Sequence, residues 1–327
     1  MGLAFALMWS SAFTSARIIV VDASPLFSLA ARFLISGLLG VTIARFMGQS
    51  WRLTRKQWFA TILFGVCQNA LYLGLNFVAM QTVEAGLASI IASTMPLLVA
   101  LASWLLLGEK LRPLGIAGLL AGVAGVWLIM SSRLGAGVDL HGVMLCGIGV
   151  LALTFATLAV RGATSGGNFM MIVGLQMFVG AAVLFVAALA FEDIRVHPTL
   201  SLALAFAYTT LVPGLAATFL WFLLLDRIGP TRAATFHFLN PVFGVSIAAV
   251  LLGEKLGARD VLGVLIVTAR TQAGDRTRET AQSGDAAGLG LGEWPIRAYL
   301  CGATYVSNGG CHARHTPKPD CQPLCRD

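Results

Sequence analysis

Polar side chains inside apolar runs are where this chain could do chemistry, because each costs free energy in hydrocarbon unless it faces a cavity, a ligand or another helix. Gln68, Tyr72 and Asn76 recur at four-residue spacing with Asn69 beside them, so they share one face of a helix. Amide and phenol groups donate and accept hydrogen bonds, which makes this stripe a candidate lining for a substrate path. Bonding to a neighbouring helix would explain the same residues equally well. His237 and Asn240 lie three apart and directly before Pro241. Proline removes a backbone donor and leaves carbonyls in the preceding turn that can meet a ligand or a water. His237 could bind substrate or take a coupling proton, although a lone histidine more often packs. Thr94, beside Pro96, is its weaker counterpart. Trp9 and Trp221 offer aromatic faces to a planar or cationic substrate. Trp104 and Tyr208 read more readily as packing or interfacial aromatics. Arg32 could pair with an anion, but its long stem can snorkel to the nearby surface, and that structural reading is preferred.

Enzyme signatures are missing. There is no Gly-x4-Gly-Lys-Ser/Thr phosphate loop, and Gly288-Leu-Gly290-Leu-Gly292 lacks the dinucleotide spacing. Cys301, Cys311, His312, His315, Cys321 and Cys325 are too irregularly spaced for a zinc site. The expectation is no catalytic residue, no cofactor and no metal.

The elements that must position these residues are membrane helices. Of the 327 residues 57% are apolar and 11% charged, with a mean hydropathy of +0.82, outside the range of soluble domains. Runs free of Lys, Arg, Asp and Glu, such as Gln57 to Val83 and Gly162 to Phe191, reach the ~20 residues that cross a bilayer. Ten spans are expected, at 2–21, 25–47, 57–80, 84–107, 113–131, 140–160, 168–191, 198–225, 230–252 and 259–269. Alternate loops hold nine Lys and Arg against five, which places the N-terminus in the cytoplasm. The net charge of +7 is spread over these loops and does not read as a nucleic-acid site.

One element was made twice. Residues 96–111 run from Pro96 to Gly108-Glu109-Lys110-Leu111, and residues 241–256 run from Pro241 to Gly253-Glu254-Lys255-Leu256 without a gap. At a shift of 144 to 145, Trp9-Ser10-Ser11-Ala12 meets Leu153-Thr154-Phe155-Ala156, Arg32 meets Gln176 and Asn76 meets Trp221. Two halves of five helices each must sit in the bilayer with opposite orientation, an inverted repeat. The first half is 1–131, a linker 132–139, the second half 140–269. Pro96 and Pro241 are expected hinges. Glu109 and Glu254 sit beside lysine at helix ends, where they can cap or pair. Gly115, Gly118, Gly122 and Gly125 stripe the fifth span for close packing. The tenth span stops at Ala269, short of a full crossing, and the polar stretch 270–327 is expected to be disordered. A frame change or truncation in the gene would explain so sharp a break.

These features resemble the drug/metabolite transporter superfamily, in its ten-helix branch of paired EamA domains. The resemblance rests on Trp9-Ser10-Ser11-Ala12-Phe13, on Ser24-Pro25 with Arg32, and on the twin proline to Gly-Glu-Lys-Leu elements. It implies an all-α integral protein of the inner membrane, most simply an exporter of small metabolites such as amino acids working by alternating access. Its partners would be a small-molecule substrate, the lipid bilayer and a coupling proton, as a monomer or homodimer. A multidrug or nucleotide-sugar carrier is the alternative within the superfamily, and a non-transporting membrane protein the alternative outside it. The expected cavity lining comes from spans one, three, four, six, eight and nine.

Overall fold

The computed structural model describes residues 1–108, 139–159 and 168–254, all within one unit, Met1–Gln272. Among them eight helical spans are long and apolar enough to cross a membrane. The first two are α1 (Gly2–Asp22) and α2 (Pro25–Phe46). The third joins α3 (Arg55–Phe64), a π-helical segment Gly65–Leu73 and α4 (Gly74–Ala79), and the fourth joins α5 (Ala85–Ala92) to α6 (Met95–Leu107). Then come α7 (Leu140–Ala159) and α8 (Phe169–Phe191). A long span follows, built from α9 (Leu200–Thr209), a second π segment Thr210–Ala216 and α10 (Ala217–Ala234), which is broken at Gly229 (φ 76°) ahead of Pro230. A 3-10 turn Thr235–Leu239 leads into α11 (Asn240–Leu252). The expected spans 113–131 and 259–269, the tail 270–327, all but the last residue of the linker, the glycine stripe and Glu109 lie outside the described residues.

The distribution of polarity settles what solvent this fold lives in. Large apolar side chains face outward, among them Phe46 (89% exposed), Val250 (83%), Phe59, Val186 and Leu204, while Arg32, Gln68, Asn69, Asn76, Gln176, His237 and Asn240 are buried. Water would reverse that arrangement and hydrocarbon demands it. Apart from one isolated bridge, Ala23 to Val196, the described residues are helical or irregular. This is an all-α integral membrane protein.

Helices α2 and α8 occupy the same position in the two copies, and they pack against each other antiparallel. At one end the amides of Leu26 and Phe27 donate to the Glu192 carboxylate at 2.8 and 3.0 Å. At the other end Met171 N donates to Gln49 Oε1 (3.0 Å) and Ser50 N to Asn168 Oδ1 (3.3 Å). Each helix therefore receives at its start a polar group from just beyond the end of its equivalent. That reciprocity is what a two-fold axis between inverted copies produces. Lipid tails supply no hydrophobic drive between helices, so close packing of small residues holds such a pair. A Cβ on Gly174 would come within 2.7 Å of Val41 N and 3.1 Å of Gly37 O.

The copies also share their irregularities. The π segments start at Gly65 and Thr210, the helices after the breaks carry Pro96 and Pro241 near their first residues, and both end on a left-handed glycine, Gly108 (φ 65°) and Gly253 (φ 68°). All three pairs are 145 apart. The glycines are required there because a side chain is disfavoured at positive φ in a helix C-cap. In the second copy the π segment has a local cause. Pro213 cannot donate to the carbonyl of Thr209, so the ladder slips. Ser36 Oγ donates instead to the nearby Thr210 carbonyl at 3.0 Å.

Carboxylates close two further helix starts. Glu254 Oε1 and Oε2 accept from Ala85 N (2.8 Å) and Gly86 N (2.9 Å), tying the end of α11 to the start of α5. Asp139 accepts from His141 N, Gly142 N and the Thr82 hydroxyl (3.0, 3.2 and 2.6 Å). Negative charge at an N-terminus complements the helix dipole.

Candidate functional site

Where the two halves meet, a small cavity of ≈ 20 Å³ is lined by Trp9, Ala12, Phe13 and Ala16 of α1, Arg32 of α2, Tyr72, Leu73, Asn76, Phe77 and Met80 of the third span, and Pro213 and Thr218 of the long span. That is room for about one water. In this conformation the cavity is too small for a metabolite.

Several lining groups lack partners. Asn76 Oδ1 and Nε and Nη1 of Arg32 are buried without a hydrogen bond, and Tyr72 Oη has only the Trp9 side chain as a weak partner. The Asn76 amide is oriented by donation to Tyr72 O at 2.7 Å, which leaves its oxygen open. Buried side-chain polar atoms are paired in the large majority of cases, so these make the cavity a candidate site.

The expected residues divide into three groups. Trp9, Tyr72 and Asn76 line the cavity, and the Trp9 and Tyr72 rings lie parallel at 6.4 Å. Trp221, His237 and Asn240 form a buried layer behind Trp9. The His237 ring meets Phe5, Trp9 and Trp221 edge-on at 5.3, 5.5 and 5.1 Å. Ser10 Oγ donates to Asn240 Oδ1 (3.1 Å), and Asn240 Nδ2 lies 3.0 Å from His237 Nδ1. Nε2 of His237 is buried without a partner. Gln68 and Thr94 stand apart from the cavity. Gln68 is buried with an unpaired oxygen, and the Thr94 hydroxyl bonds back to Ile91 O at 2.7 Å.

Other polar residues resolve as packing. Asn69 bonds across to Gln176, Tyr208 Oη pairs with Ser11 Oγ at 2.8 Å, and Trp104 is 48% exposed on the outer surface. Spans four, six and nine contribute nothing to this closed cavity, whereas α2 does, through Arg32. The preference for a snorkelling Arg32 is overturned, since its side chain is only 3% exposed. The position of Arg32 seven residues past Pro25 gives no sign that Pro213 and Gly214 of the second π segment lie against it.

A wider pocket of ≈ 470 Å³ opens nearby, lined by Arg17, Ile18, Val21, Asp22, Glu84, Ser201, Leu252 and Glu254. Arg17 Nη1 donates to the carbonyl of Met80. Arg17 faces this vestibule and Met80 faces the closed cavity, so their bond lies between the two.

A profile of the EamA-like transporter family matches residues 1–131 and again 140–269. The chain belongs to the EamA-like transporter family. Similar proteins include the uncharacterized inner membrane transporter YedA of Escherichia coli K12, 29% identical with 81% of this chain and 87% of that protein covered. The uncharacterized transporter YvbV of Bacillus subtilis is 25% identical over 80% of this chain and 86% of its own. A WAT1-related chloroplastic protein of Arabidopsis thaliana is 24% identical over 79% of this chain and 64% of its own. A solved crystal structure superposes with a TM-score of 0.64 at 23% identity, covering 83% of this chain and 93% of that one, which bears on the fold alone. In this EamA-like chain the closed cavity draws residues from both matched regions, with Pro213 and Thr218 supplied by the second.

Proposed function

We propose that this EamA-like chain is a secondary transporter that exports a small metabolite, amino acids and related compounds among the candidates, across the inner membrane by alternating access. One observation carries the reading: a closed cavity with unpaired polar atoms sits at the interface of two antiparallel repeats, beside an open vestibule. Transporters built from inverted repeats hold substrate at that interface and rock one half against the other.

On this reading Trp9, Tyr72 and Asn76 touch the substrate. Trp221, His237 and Asn240 hold Trp9 and feel its displacement when the cavity opens. The breaks before Pro96 and Pro241 are the bend points, and parting of Arg17 from Met80 joins cavity to vestibule. With the N-terminus cytoplasmic, as the loop charges favour, the vestibule faces outward.

The test is flux in proteoliposomes across a panel of metabolites, comparing the wild type with Asn76→Leu and His237→Leu. A loss of about tenfold or more in either variant is expected, the effect of removing a buried polar contact. Unchanged flux in both would remove the site assignment.

A further inference from the structure

We infer that Arg32 is an anion-recognition residue and that the substrate is a small organic acid with an apolar body. The inference deepens the transporter reading and rests on it. Arg32 lines the central cavity and is buried, yet among the described residues no carboxylate pairs with it and no group accepts a hydrogen bond from it. Its one close electrostatic neighbour is the Phe33 ring, 4.6 Å from Cζ. A guanidinium stays charged in proteins, and a buried charge is expected to be paired. A ligand entering the cavity would supply that partner.

The equivalent position in the repeat is not an unpaired cation. Arg32 corresponds to Gln176, and Asn69, which bonds Gln176, corresponds to Gly214. A Cβ placed on Gly214 would lie 3.4 Å from Arg32 Nε. Each of these contacts takes one residue from each half. One joins two amides, Asn69 and Gln176, with Gln176 Nε2 left without a partner, and the other sets a cation against a glycine and leaves its charge beside the cavity.

The rest of the lining defines the body of the ligand. Trp9, Phe13, Phe77 and Met80 present apolar surface, and beside Arg32 the side chains of Tyr72, Asn76 and Thr218 add hydrogen-bonding capacity. A guanidinium fork matches a planar carboxylate, and the aromatic walls suit an apolar or aromatic substituent better than a sugar or a free phosphate. In the closed state the cavity is too small for such a molecule, so binding must accompany opening.

The purified full chain is titrated with phenylacetate, phenylacetamide and inorganic phosphate, following tryptophan fluorescence and Tm. Wild type should bind the acid about tenfold or more tightly than the amide, as expected for a charge-assisted contact, and gain Tm only with the acid. Arg32→Lys should keep part of the preference, and Arg32→Gln should bind acid and amide alike. Equal or absent binding of acid and amide by wild type, or an undiminished preference in Arg32→Gln, would overturn the inference. Phosphate binding as tight as phenylacetate would overturn the apolar-body assignment. Should Arg32→Gln fail to fold, the wild-type comparison and Arg32→Lys decide. Proteoliposome flux separates the two readings. Acid preference without any flux sinks the transporter and keeps Arg32, while flux of a neutral solute untouched by Arg32→Gln does the reverse.

Discussion

Asn69 donates its side-chain amide to both the backbone and the side-chain oxygen of Gln176. This bond crosses between the third span and α8, and it shows how one duplicated position was settled as packing while its counterpart, Gly214 with Arg32, was left polar and open.

Asn69→Leu should therefore damage the scaffold and spare the substrate path. Leaving the buried Gln176 oxygens short of a donor costs about 1–3 kcal/mol. Thermal unfolding in detergent should show a lowered Tm, while KM for any transported substrate stays near the wild-type value. A changed KM at unchanged Tm would place Asn69 in the path instead.

The contact between α2 and α8 should tolerate no added bulk at Gly174. Val41 N and Gly37 O stand too close for even a Cβ, and both belong to the facing helix, which cannot yield without moving the whole pair. Overpacking of this kind costs about 1–3 kcal/mol. Gly174→Val should lower Tm by a corresponding amount, and a neutral result would argue against the antiparallel pairing.

Asp139 gives a pH signature outside the bilayer. The Thr82 hydroxyl first, with the amides of Gly142 and His141 behind it, holds the Asp139 carboxyl below its ordinary range against the opposing effect of desolvation. A carboxyl with a lowered folded-state pKa stabilises the fold above its unfolded pKa, and that contribution fades as pH falls through the folded value. Asp139→Asn should thus lower Tm at pH 7, and the gap to wild type should narrow as pH drops below about 4, the ordinary carboxylate value. A gap independent of pH would contradict the charged cap.

Much of this was legible in the sequence, for reasons of scale. Bilayer thickness fixes span length, so α1, α2, α7 and α8 begin and end within two residues of the apolar runs that foretold them. The offset of 145 located the matching breaks at Pro96 and Pro241 and the glycine caps. The π segment at Gly65–Leu73 was not legible, because it contains no proline and arises from a slipped hydrogen-bond register that composition does not encode. Pro213 could have signalled its partner. The four-residue stripe divides in the structure: Tyr72 and Asn76 turn to the cavity, Gln68 stands apart from it, and Asn69 beside them turns to α8. Snorkelling of Arg32 depends on what covers it, and Pro213 and Gly214 of the second π segment, far along the chain, lie against it.

Alternating access requires that the closed cavity be reached in turn from the two sides of the membrane. Side-specific labelling of Asn76→Cys tests it most directly, in a chain whose six native cysteines are replaced by serine and which is reconstituted in oriented vesicles. A membrane-impermeant thiol reagent should modify the introduced thiol when added to either face, in separate experiments. Labelling from one face only, or from neither, would contradict alternating access at this cavity.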